Sequence, residues 1–197
     1  MGSDLSLPSM GADPNTITVY GFSCGSYMAT NLNVVFSDTF KGAGLISGGP
    51  YMAEKYYPFG GLDTPLNEYD RNAETLAPKI IADAIENNAD GLIDPLSNLS
   101  NMPIYIMSNK EDTTVPPQMH NAQRLFYENF GANIEFVETE SRHVWPVDIP
   151  EAWGEEFGMP LKEDCLERGG RTIYNCGYDS AGIMLAHTLS NIDGTTL

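Results

Sequence analysis

Short apolar runs alternate along the chain with longer stretches in which apolar residues recur every three or four positions. The run TITVYG (16–21) reads as a buried strand ending at Gly21, and residues 24–36 then carry a helical rhythm. KGAGLISGG (41–49) is a second apolar run closed by glycines. Across 74–88, Leu76, Ile80, Ile81, Ala84 and Ile85 fall on one helical face, with Pro78 placed in the first turn. MPIYIMSNKED (102–112) is the clearest strand, opened by Pro103 and closed by a polar loop. A second amphipathic helix covers 117–130, with Met119, Ala122, Leu125, Phe126 and Phe130 inward. NIEFVET (133–139) is a further strand after the Gly131 stop, and from 144 the pattern is irregular until Asp179 caps a last helix near 180–190.

This alternation predicts one α/β domain over 1–197, with a parallel sheet covered by helices on both faces. Right-handed crossovers align the strand C-termini along one rim, where α/β sites form. A chain of 197 residues is long enough to bury a substantial core.

Charge narrows the choice of partner. With 27 Asp and Glu against 10 Lys and Arg, the net charge of −17 opposes nucleic acid and anionic membrane, and a neutral substrate fits better. No run approaches the roughly 18 apolar residues of a membrane helix. The first residues show neither the basic nor the apolar part of a signal peptide, and MGSDLS matches a myristoylation pattern too short to carry weight. Cys165 and Cys176, eleven apart around a Gly-Gly pair, can close a small disulfide loop, which leaves Cys24 alone; three reduced thiols are the alternative. No His, Cys, Asp and Glu grouping has metal-ligand spacing, and no glycine loop has the dinucleotide pattern, so neither metal nor cofactor is expected.

The candidate chemistry sits at strand ends. Gly21-Phe22-Ser23-Cys24-Gly25 matches G-x-S-x-G, and its placement between a strand and a helix is what a nucleophile elbow requires. The bland alternative is a glycine loop with a capping serine. A serine hydroxyl needs a histidine base. Of the three histidines, His120 and His187 fall in helices and read as structural or solvent-facing, whereas His143 follows the last strand. Asp112 follows the strand before it and is the expected acid, with Glu111 as neighbouring competitor and an Asx-turn as its structural alternative. Asp94 and Asp148 follow no strand. The order Ser23…Asp112…His143 is that of the α/β hydrolases, and the Cys24 backbone N–H is the expected oxyanion donor.

The segments ITVYGFSCGSYMATNLNVVFSDTFKGAGLISGGPY, MPIYIMSNKEDTTVPPQMHNAQRLFYENFGANIEFVETESRHVWPVD and NCGYDSAGIMLAHTL resemble polyhydroxybutyrate depolymerase-like esterases, over roughly residues 5–190. The resemblance implies an α/β-hydrolase with Ser23, Asp112 and His143 as nucleophile, acid and base, secretion, and a hydroxyalkanoate ester as substrate. Related esterases that act on feruloyl or acetyl groups of plant polysaccharides supply an alternative, and a catalytically inactive binding module is another.

Only 22 residues precede Ser23, too few for the earlier strand and loop that usually provide a second oxyanion donor. In depolymerases of this kind that resemble a circular permutation, a His-Gly-Cys turn follows the last helix, and this chain has no His-Gly pair. The expectation is therefore a partial hydrolase sheet with an edge open to self-association. Trp145, two residues past His143, is the expected substrate-binding aromatic. Tyr51, Tyr56, Tyr57 and Phe59 either bind substrate or pack their own loop. Asn98-Leu99-Ser100 is a weak glycosylation sequon.

Overall fold

The computed structural model describes residues 11–56, 72–150, 165–166 and 172–193. Tyr57, Phe59, the Gly-Gly pair between the cysteines and the first ten residues lie outside that set.

Four strands, β1 (Val19–Phe22), β2 (Ala43–Ile46), β3 (Pro103–Asn109) and β4 (Asn133–Thr139), form one parallel sheet in the order β1-β2-β3-β4. The crossovers carry α1 (Cys24–Val35), α2 (Ala73–Ala89) and α3 (Pro117–Asn129). A sheet that adds strands in one direction by right-handed crossovers puts all those helices on one face. Here Val19, Leu45, Ile104, Ile106, Ile134 and Phe136 face that helical layer. The alternate residues Ile46, Tyr105 and Met107 face the other way, onto a cluster with Met184 from the last helix, α4 (Ser180–Asp193). Among the described residues, helices are thus present on both faces, three against one.

Sequence and structure part at several boundaries. β1 starts at Val19 because Asp13 caps a 3₁₀ turn over Pro14–Thr16, which takes Thr16 out of the strand, and it runs one residue past Gly21 to Phe22. Pro78 lies in the second turn of α2, since the helix begins at Ala73 under the Asn72 cap. Proline removes the bond to the Glu74 carbonyl there, which the exposed position of Glu74 allows water to take. Ile85 is 53% exposed; the inward face is instead Leu76, Ala77, Ile80 and Ala84, flanked by Asp83. Asp83 accepts from Lys55 Nζ at 2.8 Å and from the Tyr56 hydroxyl at 2.9 Å, and Asn87 donates to the Tyr51 hydroxyl at 3.0 Å. Those two tyrosines therefore tie their loop to α2. Asn98 donates its amide to Ser37 and Asp38, a structural clasp between loops.

The stretch after residue 144 is less irregular than its composition suggests. β5 (Trp145–Val147) pairs in parallel with β6 (Ile173–Asn175), a two-stranded sheet too short to show a period. The Cys165–Cys176 disulfide is formed, and Val144, Cys165 and Tyr174 make a small third core beside it. Asp179 caps α4 by accepting from the Gly182 N–H at 2.8 Å.

His120, on α3, is fully buried, with Nδ1 3.0 Å from Ser108 Oγ. Burial is the main reason its pKa drops from the usual 6.5 to about 4, with Asp112 opposing the shift and His143 adding to it. The folded chain thus binds this proton less readily than the unfolded chain. Its contribution to stability is whole above pH 6.5, falls as pH drops from 6.5 towards 4, and levels below. The total change is roughly 3 kcal/mol. The difference in unfolding free energy between native protein and His120→Gln, measured by urea denaturation, should shift by about that much between pH 7 and pH 4. A pH-independent difference contradicts it.

Candidate active site

β1 delivers the chain to Ser23 in a conformation that few side-chain-bearing residues adopt, φ 57° and ψ −126°. Two sets of backbone bonds hold the turn. The Ser23 N–H donates to the Ile46 carbonyl at 3.0 Å, and the Ser23 carbonyl accepts from the Ser26 and Tyr27 N–H groups of α1. Gly21 makes the approach of strand and helix possible, since a Cβ there would stand 2.1 Å from the Gly25 carbonyl oxygen. Gly25 is different: a Cβ on it meets nothing within 4 Å. The two glycines of the motif are not equivalent, and only the first is required for space. Ser23 makes no side-chain capping bond to α1, so its hydroxyl is not spent on the helix.

That hydroxyl lies 2.8 Å from His143 Nε2, and His143 Nδ1 lies 2.6 Å from Asp112 Oδ2. A carboxylate only accepts, so Nδ1 carries the proton and Nε2 offers its lone pair to the serine O–H. Asp112 is 3% exposed, and its other oxygen accepts from the Thr114 and Val115 N–H groups at 2.8 and 2.9 Å. The Asx-turn and the contact with histidine are therefore both present, one on each oxygen. Glu111 is exposed and takes no part, and Asp94 accepts from the Asp38 N–H far along the chain.

The loop bearing His143 is tied down on both sides. Asn109, at the end of β3, donates its buried amide to the carbonyls of Arg142 and Val144, each at 2.7 Å. From the disulfide side, the Cys165 carbonyl accepts from the Arg142 N–H at 3.1 Å and the Leu166 carbonyl from Arg142 Nε. The Phe22 ring packs against the imidazole with centroids 4.9 Å apart, and the Trp145 ring stands 6.2 Å from Phe22. Phe22 and Asn109 escaped the sequence reading. The signal for Asn109 was available, as a polar side chain ending a strand whose seven positions are all buried.

Cys24 is free and exposed, and its N–H is the first of α1, where helix geometry leaves amides without an intrahelical acceptor. His187 sits on α4 against the Asn133 carbonyl and Glu135, away from the site. Among the described residues, no group of three His, Cys, Asp or Glu is arranged to hold a metal, and no helix is long and apolar enough to cross a membrane.

A strand–serine–helix turn at the C-terminal rim of a parallel sheet, with aspartate and histidine brought in after β3 and β4, defines an α/β-hydrolase-like fold. Over nearly all of its length the chain resembles polyhydroxybutyrate depolymerases. It is 31% identical over 186 residues to the polyhydroxybutyrate depolymerase of Talaromyces funiculosus, which covers 91% of this chain and 49% of that protein. It is 28% identical over 194 residues to the poly(3-hydroxybutyrate) depolymerase of Delftia acidovorans, covering 96% of this chain and 36% of that one. The solved PHB depolymerase from Penicillium funiculosum superimposes with a TM-score of 0.71 at 28% identity, over 96% of this chain and 55% of that chain. A PHB depolymerase solved with an R3HB trimer gives 0.69 over the same shares. The chain thus spans between about a third and a half of the length of the curated relatives it matches. No family model matches it.

The unequal glycines make a direct prediction. Gly21→Ala should prevent folding or lower Tm strongly, because backbone, not a movable side chain, occupies the space of the new methyl. Gly25→Ala should leave Tm unchanged or raise it, by up to about 1 kcal/mol of stability. Scanning calorimetry of the two variants checks the contrast, and equal destabilisation would contradict it.

Proposed function

We propose that the chain carries the nucleophile, base and acid of a serine esterase and that its substrates are esters of 3-hydroxybutyrate, as polymer or oligomer. The observation that carries this is the continuous relay Ser23–His143–Asp112, at 2.8 and 2.6 Å. The substrate class rests on the names of the relatives and on the R3HB trimer bound in one of them.

Ser23 Oγ attacks the ester carbonyl as its proton passes to His143 Nε2. The oxyanion forms beside the N-terminus of α1, with the Cys24 N–H as one donor. His143 returns the proton to the departing alcohol, and a water repeats the sequence to release the acid. Asp112 keeps Nδ1 protonated and stabilises the imidazolium. Phe22 on the imidazole, and Trp145 beside Phe22, offer an apolar surface for the acyl chain, with Trp145 as the binding aromatic. The acidic chain suits an uncharged polyester. A formed disulfide suits an oxidising, extracellular setting.

A second reading is a hydrolase-like binding module without turnover. It is favoured by the oxyanion site, where Cys24 is the one donor identified among the described residues. A fluorophosphonate probe separates the two. On the enzyme reading, the adduct mass falls on the peptide containing Ser23 and disappears in Ser23→Ala and His143→Ala. Asp112→Asn should lower kcat on a soluble 3-hydroxybutyrate ester by about 10⁴-fold, by holding the wrong tautomer. Folded protein that takes no label belongs to the second reading.

A further inference from the structure

We propose that Asn109 is a positioning residue for the base, holding His143 at the separation from Asp112 and Ser23 that proton transfer needs. The inference deepens the esterase reading and rests on it.

The side chain is fully buried, and every polar atom of the amide is occupied. Its Nδ2 has two protons and three neighbours: the Arg142 and Val144 carbonyls at 2.7 Å each and Ser47 Oγ at 3.0 Å. The carbonyls can only accept and lie nearest, so they take the two protons. These two carbonyls bracket His143, and fixing both fixes the main chain from which the imidazole projects. Oδ1 accepts from Thr139 Oγ1 at 2.9 Å, which sets the amide orientation, and Thr139 Oγ1 is also 2.7 Å from Ser141 Oγ. The main-chain carbonyl of Asn109 accepts from the Asp112 N–H at 3.1 Å. One residue thus holds the acid through its backbone and the base through its side chain, while touching the ends of β2 and β4. A residue serving only as core filling would need neither the donor pair nor the fixed amide orientation.

The effect should therefore appear in the chemical step and leave substrate affinity alone. In Asn109→Ala, the rate of fluorophosphonate labelling at Ser23 should fall 10- to 100-fold, with KM for a soluble 3-hydroxybutyrate ester within twofold. Asn109→Asp keeps the shape but loses the donors and adds a negative charge near the imidazole. Its acid limb in kcat/KM should move to higher pH by about one unit. The downfield proton resonance of the His143–Asp112 bond should weaken or vanish in both. Thr139→Val, which removes the bond to Oδ1 together with the contact to Ser141 Oγ but leaves both Asn109 donors in place, should cause a smaller loss on the same readouts and carries the test if the Asn109 variants do not fold.

Folded Asn109 variants with native labelling rate, native pH profile and an intact resonance would overturn the proposal, as would an unaltered Thr139→Val where that variant is the one tested. His143→Ala is the control. If it still labels at the native rate, the esterase reading itself fails. If it is silent while the Asn109 variants label normally, only the positioning role does.

Discussion

The turn at Ser23 is the constraint around which the rest is arranged. Its backbone is held at a positive φ by the Ile46 carbonyl on one side and the first amides of α1 on the other. That conformation persists only where its surroundings over-determine it. Here the surroundings are the β1–β2 register and the absent side chain of Gly21, which lets the Gly25 carbonyl come as close as it does. Relaxing the turn would swing the hydroxyl away from the imidazole and separate α1 from the sheet in the same movement. Local strain and global packing are therefore one balance at this point.

The partners of Ser23 arrive by a different route. β3 and β4 are paired over all seven positions, from Pro103↔Asn133 to Asn109↔Thr139, so their exits emerge side by side. Asp112 leaves one exit in a tight turn that uses half of its carboxylate, and the histidine loop leaves the other. The separation of Asp112 and His143 thus follows from strand pairing, and Asn109 is bonded to the chain beside both. The rim collects three side chains because the sheet is parallel, and the crossover helices α1 to α3 share one face because its strand order never reverses.

Much of this was legible in the sequence. The strand at 133–139 matches β4 residue for residue, and α1 and α3 fall within a residue of expectation, because long amphipathic or β-branched segments announce their period. Ser23, Asp112 and His143 could be placed because each follows a strand. The errors have physical causes. The pair β5–β6 is three residues long on each side and stands beside a disulfide and a small core, neither of which any periodicity reveals. Ile85 was assigned inward on rhythm alone, whereas Asp83 occupies the buried slot through its bonds to Lys55 and Tyr56. Asn109 was passed over because a single polar residue at a strand end carries no pattern, and its meaning lies in two carbonyls more than thirty positions away.

The disulfide touches neither of the two cores that pack the main sheet; its cysteines belong to the small cluster with Val144 and Tyr174. Yet the carbonyls of Cys165 and Leu166 grip Arg142, the immediate neighbour of the histidine. Architecture and reactivity are thereby assigned to different bonds in the molecule. The sheet is held by apolar surface buried away from water, while the chain beside the imidazole is also bonded to carbonyls at and next to a disulfide cysteine.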